Sequence, residues 1–164
     1  MTLQFKEATP SDAMVCADAL AIQHEYGSYM YDDLQLTEAK ELFYKSLKSF
    51  PSPYFDRPSG CYFVAYNVDN EAVGAVGIRV WKEDASCEMK RIFVRPQHRK
   101  HGYGDSLVEF IVKEAVRMGY RTMFLDSDKM MTGAIKLYLK HGFAEIDSYY
   151  PNENPGAIYF KKEM

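Results

Sequence analysis

A loop carrying two glycines between a strand and a helix restricts this chain's fold more than any other feature. Residues Arg99-Lys100-His101-Gly102-Tyr103-Gly104-Asp105 follow the strand-like run Glu88 to Val94. They lead into a segment where Leu107, Val108, Ile111, Ala115 and Met118 recur at helical spacing. Thr122-Met123-Phe124-Leu125 is then apolar on both faces, as expected of a strand buried in a parallel pair. Strand 88–94, helix 104–118 and strand 122–126 therefore predict a right-handed βαβ crossover. A helix start presents unpaired backbone N–H groups and the positive end of the helix dipole. Glycines there let an anion approach the backbone. Lys90, Arg91, Arg95, Arg99 and Lys100 crowd the window from Lys90 to His101, which holds no acidic residue. The pattern reads as a cradle for a phosphate-bearing ligand.

The rest of the chain narrows the partner. A length of 164 residues predicts one domain over 1–164. Net charge is −3, so the cationic stretch is local and suits a small anion, not nucleic acid. Cys16, Cys61 and Cys87 are far apart and no CxxC occurs, which argues against disulfides and zinc. His24, His98, His101 and His141 lack metal-ligand spacing, so no metal is expected. The N-terminus has no signal-peptide pattern and no apolar run is long enough for a membrane, so the expected location is cytoplasmic.

Leu3-Gln4-Phe5 reads as a first strand. Asp12 or Ser11 caps a helix over Ala13–Gln23. Tyr26 to Gln35 reads as a loop, and Thr37 as the cap of a helix reaching Ser49. Cys61–Tyr66, Ala72–Trp81 and Glu88–Val94 read as an antiparallel meander, with a turn at Asp69-Asn70. After the crossover come a short helix over Met131–Lys140 and strands at Phe143–Ser148 and Ala157–Lys161.

In this order three motifs resemble the GCN5-related N-acetyltransferase (GNAT) superfamily. Arg99 to Gly104 is similar to its Arg-x-x-Gly-x-Gly pyrophosphate loop. Ala134-Ile135-Lys136-Leu137-Tyr138-Leu139-Lys140-His141-Gly142-Phe143 is similar to its fourth-helix pattern. Lys90 to Pro96 resembles the strand entering the loop. The implied fold is α/β: a mixed, mostly antiparallel sheet with a central splayed parallel pair and helices on both faces. The implied function is N-acetyl transfer from acetyl-CoA to a primary amine of a small molecule or peptide. Homodimers are common in the family. The competing reading is a non-catalytic acyl-CoA sensor or interaction module.

The resemblance also assigns roles. Backbone N–H groups of His101, Gly102, Tyr103, Gly104 and Asp105 would hold the pyrophosphate, with Arg99 and Lys100 on the phosphates. Lys100 stands where many members have Gly. Met131 stands where many have an Asn that contacts the cofactor. Ile92, Phe93 and Val94 would pair with the pantetheine arm. Irregular alternation between Cys87 and Arg95 suggests a β-bulge there. Tyr138 would be the general acid. Glu88 is the implied general base, set against a salt bridge to Lys90 or Arg91; Asp126 is the alternative base. Tyr26, Tyr29, Tyr31, Asp32, Asp33, Asp126, Tyr149 and Tyr150 would line an acceptor site suited to a cationic amine.

Overall fold

The computed structural model describes residues 2–82 and 85–164. Seven strands form one sheet in the order β1-β2-β3-β4-β5-β7-β6. These are β1 (Gln4–Glu7), β2 (Cys61–Tyr66), β3 (Ala72–Val80), β4 (Ser86–Val94), β5 (Thr122–Asp128), β6 (Ala144–Ile146) and β7 (Ala157–Glu163). All neighbours are antiparallel except β4 and β5. Four α-helices cover the sheet: α1 (Ala13–Ser28), α2 (Lys40–Ser46), α3 (Tyr103–Arg117) and α4 (Thr132–Lys140). The predicted meander, crossover and fold class are all present.

Strand β2 shows why helices lie on both faces. All six of its residues are buried. Cys61, Phe63 and Ala65 pack with Leu107, Val108, Ile111 and Ala115 of α3 and with Tyr138 of α4. Tyr62, Val64 and Tyr66 pack with Val15, Ala19 and Ile22 of α1. A strand that is apolar at every position needs cover on both sides. Fully burying one such leucine or isoleucine contributes about 1.5–3 kcal/mol.

The expected bulge sits at Arg91. Ala75 opposes Phe93 and Gly77 opposes Lys90, so β4 carries one residue more than β3 across that step. Arg91 takes a left-handed φ of 56°. The insertion switches the faces. Cys87 and Met89 belong to the α3 side before it, Ile92 and Val94 belong there after it, and Phe93 packs on the α1 side.

Two segments depart from the sequence reading. Tyr26 to Gln35 is not a simple loop: α1 continues to Ser28, and Tyr29–Asp33 forms a π-helical turn. Gly27 does not break the helix. A Cβ there would lie 2.7 Å from the Tyr44 hydroxyl oxygen, so glycine admits the neighbouring side chain. Helix α2 is short, and Thr37 does not cap it; Ala39, at φ 61°, holds the N-cap position without a side-chain hydrogen bond.

Candidate active site

Strands β4 and β5 pair only from Ser86–Thr122 to Glu88–Phe124. Beyond that point Met89–Val94 and Asp126–Asp128 stand on opposite walls of a cleft of about 730 Å³. That size lies within the range of small-molecule sites. The cleft has a backbone end and a side-chain end.

The backbone end is the glycine loop. Lys100 and Gly102 both have positive φ, 66° and 76°. A Cβ on Gly102 would meet nothing within 4 Å, so the need for glycine there is conformational and leaves the approach open. The first backbone bond of α3 runs from the Ser106 N–H to the Gly102 carbonyl, 3.2 Å. Amides ahead of it, including those of Gly104 and Asp105, point out of the helix end. The carboxylate of Asp105 would oppose an anion, but it accepts hydrogen bonds from Lys140 Nζ at 2.7 Å and His141 Nε2 at 2.8 Å. Those two bonds hold it below the usual carboxylate range. Arg99 donates from Nε to the Val94 carbonyl, 3.1 Å, and lies over the rings of Tyr29 and Phe93.

Between the ends, β4 turns a backbone amide into the cleft. The Arg95 N–H donates to the Val73 carbonyl on β3, 2.9 Å. By strand alternation the Val94 N–H faces the other way, on the same side as its Arg99-bonded carbonyl. Opposite stands Tyr138 of α4, buried between Phe143 and Phe160. Its hydroxyl has no hydrogen-bond partner among the described residues, where every fully buried side-chain N or O atom has one. The hydroxyl therefore opens into the cleft that the residue lines. Burial, and next the neighbouring Tyr26 and Asp126, push its pKa well above the ordinary phenol value.

The side-chain end is a set of charge pairs. Lys90 Nζ donates to Asp126 Oδ1 at 2.6 Å, and the Tyr150 hydroxyl donates to Asp126 Oδ2 at 3.0 Å. Burial is the largest influence and would raise the Asp126 pKa, but Lys90, Tyr150 and Arg79 together hold the carboxyl below the usual range. Asp128 accepts from the Met130 N–H at 2.7 Å and from Asn154 Nδ2 at 2.9 Å. Asp126 and Asp128 thus hold the 150–156 loop over the end of β5.

These observations meet in known proteins. The profile of the Acetyltransferase (GNAT) family matches residues 21–143. The chain belongs to the GNAT acetyltransferase family. An uncharacterised N-acetyltransferase of Schizosaccharomyces pombe is 33% identical over 114 residues, 70% of each protein. N-acetyltransferase 8B of Rattus norvegicus is 34% identical over 101 residues, 59% of this chain but only 45% of that longer protein. The PaiA N-acetyltransferase of Thermoplasma acidophilum, solved in complex with coenzyme A, shares the fold with a TM-score of 0.72, 14% identity and full coverage of both chains. As a member of the family the chain is an acyl-CoA N-acyltransferase. Coenzyme A fits the cleft: an open glycine turn, a neutralised Asp105 and outward amides suit a pyrophosphate.

The structure brings most residues singled out in the sequence to this one cleft. Ile92, Phe93, Val94, Arg99, Lys100, Gly102, Tyr103, Gly104, Asp105 and Met131 line it, as do Tyr26, Tyr29, Tyr31, Asp126, Tyr138 and Tyr150. His101 is exposed and stacks on Tyr103, so only its peptide belongs to the loop. Glu88 and Tyr149 do not line the cleft. Glu88 is fully buried; one oxygen bonds Arg79 Nε and the other accepts from the Tyr149 hydroxyl at 2.8 Å. The ion pair of Glu88 is therefore with Arg79 across β3–β4, not with Lys90 or Arg91. Asp32 pairs with Lys40 and, like Asp33, lies outside the lining. Sequence reasoning missed Arg79, Asp128, Asn152 and Asn154 as lining residues. Only the Asp-x-Asp alternation of 126 and 128 on one strand hinted at them.

No group of three or more His, Cys, Asp or Glu side chains placed to hold a metal ion occurs among the described residues. No helix of the described residues is long and apolar enough to cross a membrane.

Proposed function

We propose that this chain, as one domain over 1–164, transfers the acetyl group of acetyl-CoA to a primary amine of a small molecule or peptide by direct attack. The observation that carries this reading is the unpartnered Tyr138 hydroxyl, opening into the cleft whose far end is the glycine cradle. Acetyl-CoA, when bound, supplies an activated thioester.

The chain's residues do the rest. Amides from His101 to Asp105 hold the pyrophosphate, with Arg99 and Lys100 as counter-charges. Ile92–Val94 offers its free edge to an extended arm, in the manner of an added strand. The cleft-facing Val94 N–H polarises the carbonyl under attack. An acceptor ammonium must lose a proton before it attacks. Asp126 lines the cleft, as Glu88 does not, and each of its oxygens, bonded once by Lys90 or Tyr150, keeps acceptor capacity with which it takes that proton directly or through water. Glu88, occupied by Arg79 and Tyr149, positions the wall behind it. Once the C–N bond has formed, the thioester C–S bond breaks and Tyr138, kept protonated by burial, gives its proton to the departing thiolate sulfur. Direct attack also agrees with the thiols: Cys87 is buried, and burial pushes its pKa up to about 12, so it is no nucleophile at neutral pH.

The test is thiol release from acetyl-CoA against amines, amino acids, polyamines and peptides, with Tyr138→Phe in parallel. Release that the variant loses supports the reading. Silence across the panel, with coenzyme A still binding by calorimetry, favours the sensor alternative.

A further inference from the structure

Arg91 lines the cleft with no described carboxylate beside it and, unlike the exposed Arg99 and Lys100, it is largely withdrawn from water. Its backbone is the left-handed residue of the β4 bulge, φ 56°. The guanidinium reaches neutral groups only: Nη2 donates to Ser46 Oγ at 2.7 Å and Nη1 to Gln23 Oε1 at 3.4 Å. The rings of Phe43 and Phe55 lie 4.8 and 5.8 Å from its Cζ. No described carboxylate pairs with it, although Arg79, Lys90 and Arg95 nearby all have one. It is largely withdrawn from water, and burial lowers its pKa. Arg79, on the next strand, adds like charge and gives only its Nε to Glu88. A desolvated guanidinium held by neutral partners and facing a cavity is costly unless an anion completes it.

The position selects the anion. Arg91 immediately precedes Ile92–Val94, the stretch proposed above to pair with the arm carrying the acyl group. It belongs to β4, whereas Arg99 and Lys100 belong to the glycine loop. Tyr26 stands between two opposite charges. Burial raises its hydroxyl most, Asp126 raises it further and Arg91 opposes. Arg91 on β4 and Asp126 on β5 line the same cleft, on the two walls where the strands part.

We infer that the acceptor amine carries a carboxylate, as an amino acid does, with the carboxylate seated on Arg91 and the amine directed toward Asp126. This deepens the acetyl-transfer reading and rests on it. It also replaces the plain cationic amine suggested by the tyrosines and aspartates of the sequence. Arg91 is then a specificity residue, rigidly aimed by the bulge and by Ser46.

The experiment compares amino acids with the amines made by replacing their carboxylate with hydrogen or a carboxamide. Wild-type enzyme should favour the carboxylated member in kcat/KM by about 10- to 100-fold, the scale of a charge-assisted hydrogen bond. Arg91→Gln should collapse that ratio toward one, and Arg91→Lys should restore part of it. Calorimetric binding of the carboxylated acceptor to wild type and to Arg91→Lys, lost in Arg91→Gln, gives the same answer without turnover. Coenzyme A binding reports that each variant is folded. Equal use of both members by wild type overturns the inference and leaves acetyl transfer standing. An unchanged ratio in a folded Arg91→Gln overturns it too and marks Arg91 as structural. No turnover of any amine refutes the acetyl-transfer reading instead.

Discussion

The two ends of the cleft are built on different principles. The end at Gly102 is made of main chain from a single stretch of seven residues, Arg99 to Asp105, and its charges surround an open turn. The opposite end is made of side chains from four separate segments: Arg79, Lys90 and Arg91, Asp126 and Asp128, and the Tyr150–Asn154 loop. Lys90 and Asp126 pair with each other there, Arg79 pairs with Glu88 behind the wall, and Asp128 is held by the Met130 N–H and Asn154. Backbone amides recognise a group common to every coenzyme A thioester and need no particular side chains. Paired side chains can be exchanged one at a time, which suits the part of a site that selects an acceptor.

The largest effect should fall between the two ends. Tyr138→Phe keeps the ring packed on Phe143 and Phe160 and removes the proton. We expect kcat to drop about 10²- to 10⁴-fold with coenzyme A affinity intact, read by thiol release and calorimetry. A fall in affinity instead would place Tyr138 in binding, not catalysis.

The side-chain end sharpens next. Asp126→Asn should lower kcat by about 10². Glu88→Gln should act chiefly on stability, costing about 2–4 kcal/mol in denaturant unfolding because Arg79 loses a buried partner. If Glu88→Gln proves the slower enzyme at equal stability, the base is Glu88 and the wall assignment is reversed.

The backbone end should respond in binding alone. Gly102→Val forces a β-branched residue into φ 76°. It should weaken coenzyme A binding about tenfold and cost about 1–2 kcal/mol of stability. A calorimetric titration that matches wild type would remove the cradle from the cofactor site.

The smallest effect concerns Asp105, whose carboxyl is held low by Lys140 and His141. A depressed folded value means that the ionised group stabilises the fold above the ordinary carboxylate pKa of about 3.9. That contribution disappears as pH falls through the lowered value. Asp105→Asn should lose about 0.5–1 kcal/mol near neutral pH, since the pair is partly exposed. Its unfolding midpoint should converge on wild type below about pH 4. A constant gap across that range would show that the carboxylate charge does not matter.

Legibility in the sequence followed the same divide. The apolar runs of β2 and β5, the 3.6-residue pattern of α3 and the glycine spacing are local signals, and each of those elements formed where it was read. Tyr26 to Asp33 failed because its helix is stabilised from outside, by Tyr26 and Tyr29 against Phe93 and by Gly27 under Tyr44. Local propensity of a Tyr/Gly/Ser/Asp stretch favours a loop, and tertiary packing overrode it.

By itself, then, the sequence determined the sheet order around the crossover and the anion cradle, because backbone conformation at glycine and side-chain periodicity act within a few residues. Only the tertiary structure decided which charges meet. Glu88 withdrew to Arg79 and Tyr149, Asp126 took Lys90, and the bulge turned Arg91 toward Ser46, where no acid answers it. Coulomb and hydrogen-bond partners are chosen by distance in space, and residues 79, 88, 91, 126 and 149 become neighbours only when the sheet has formed.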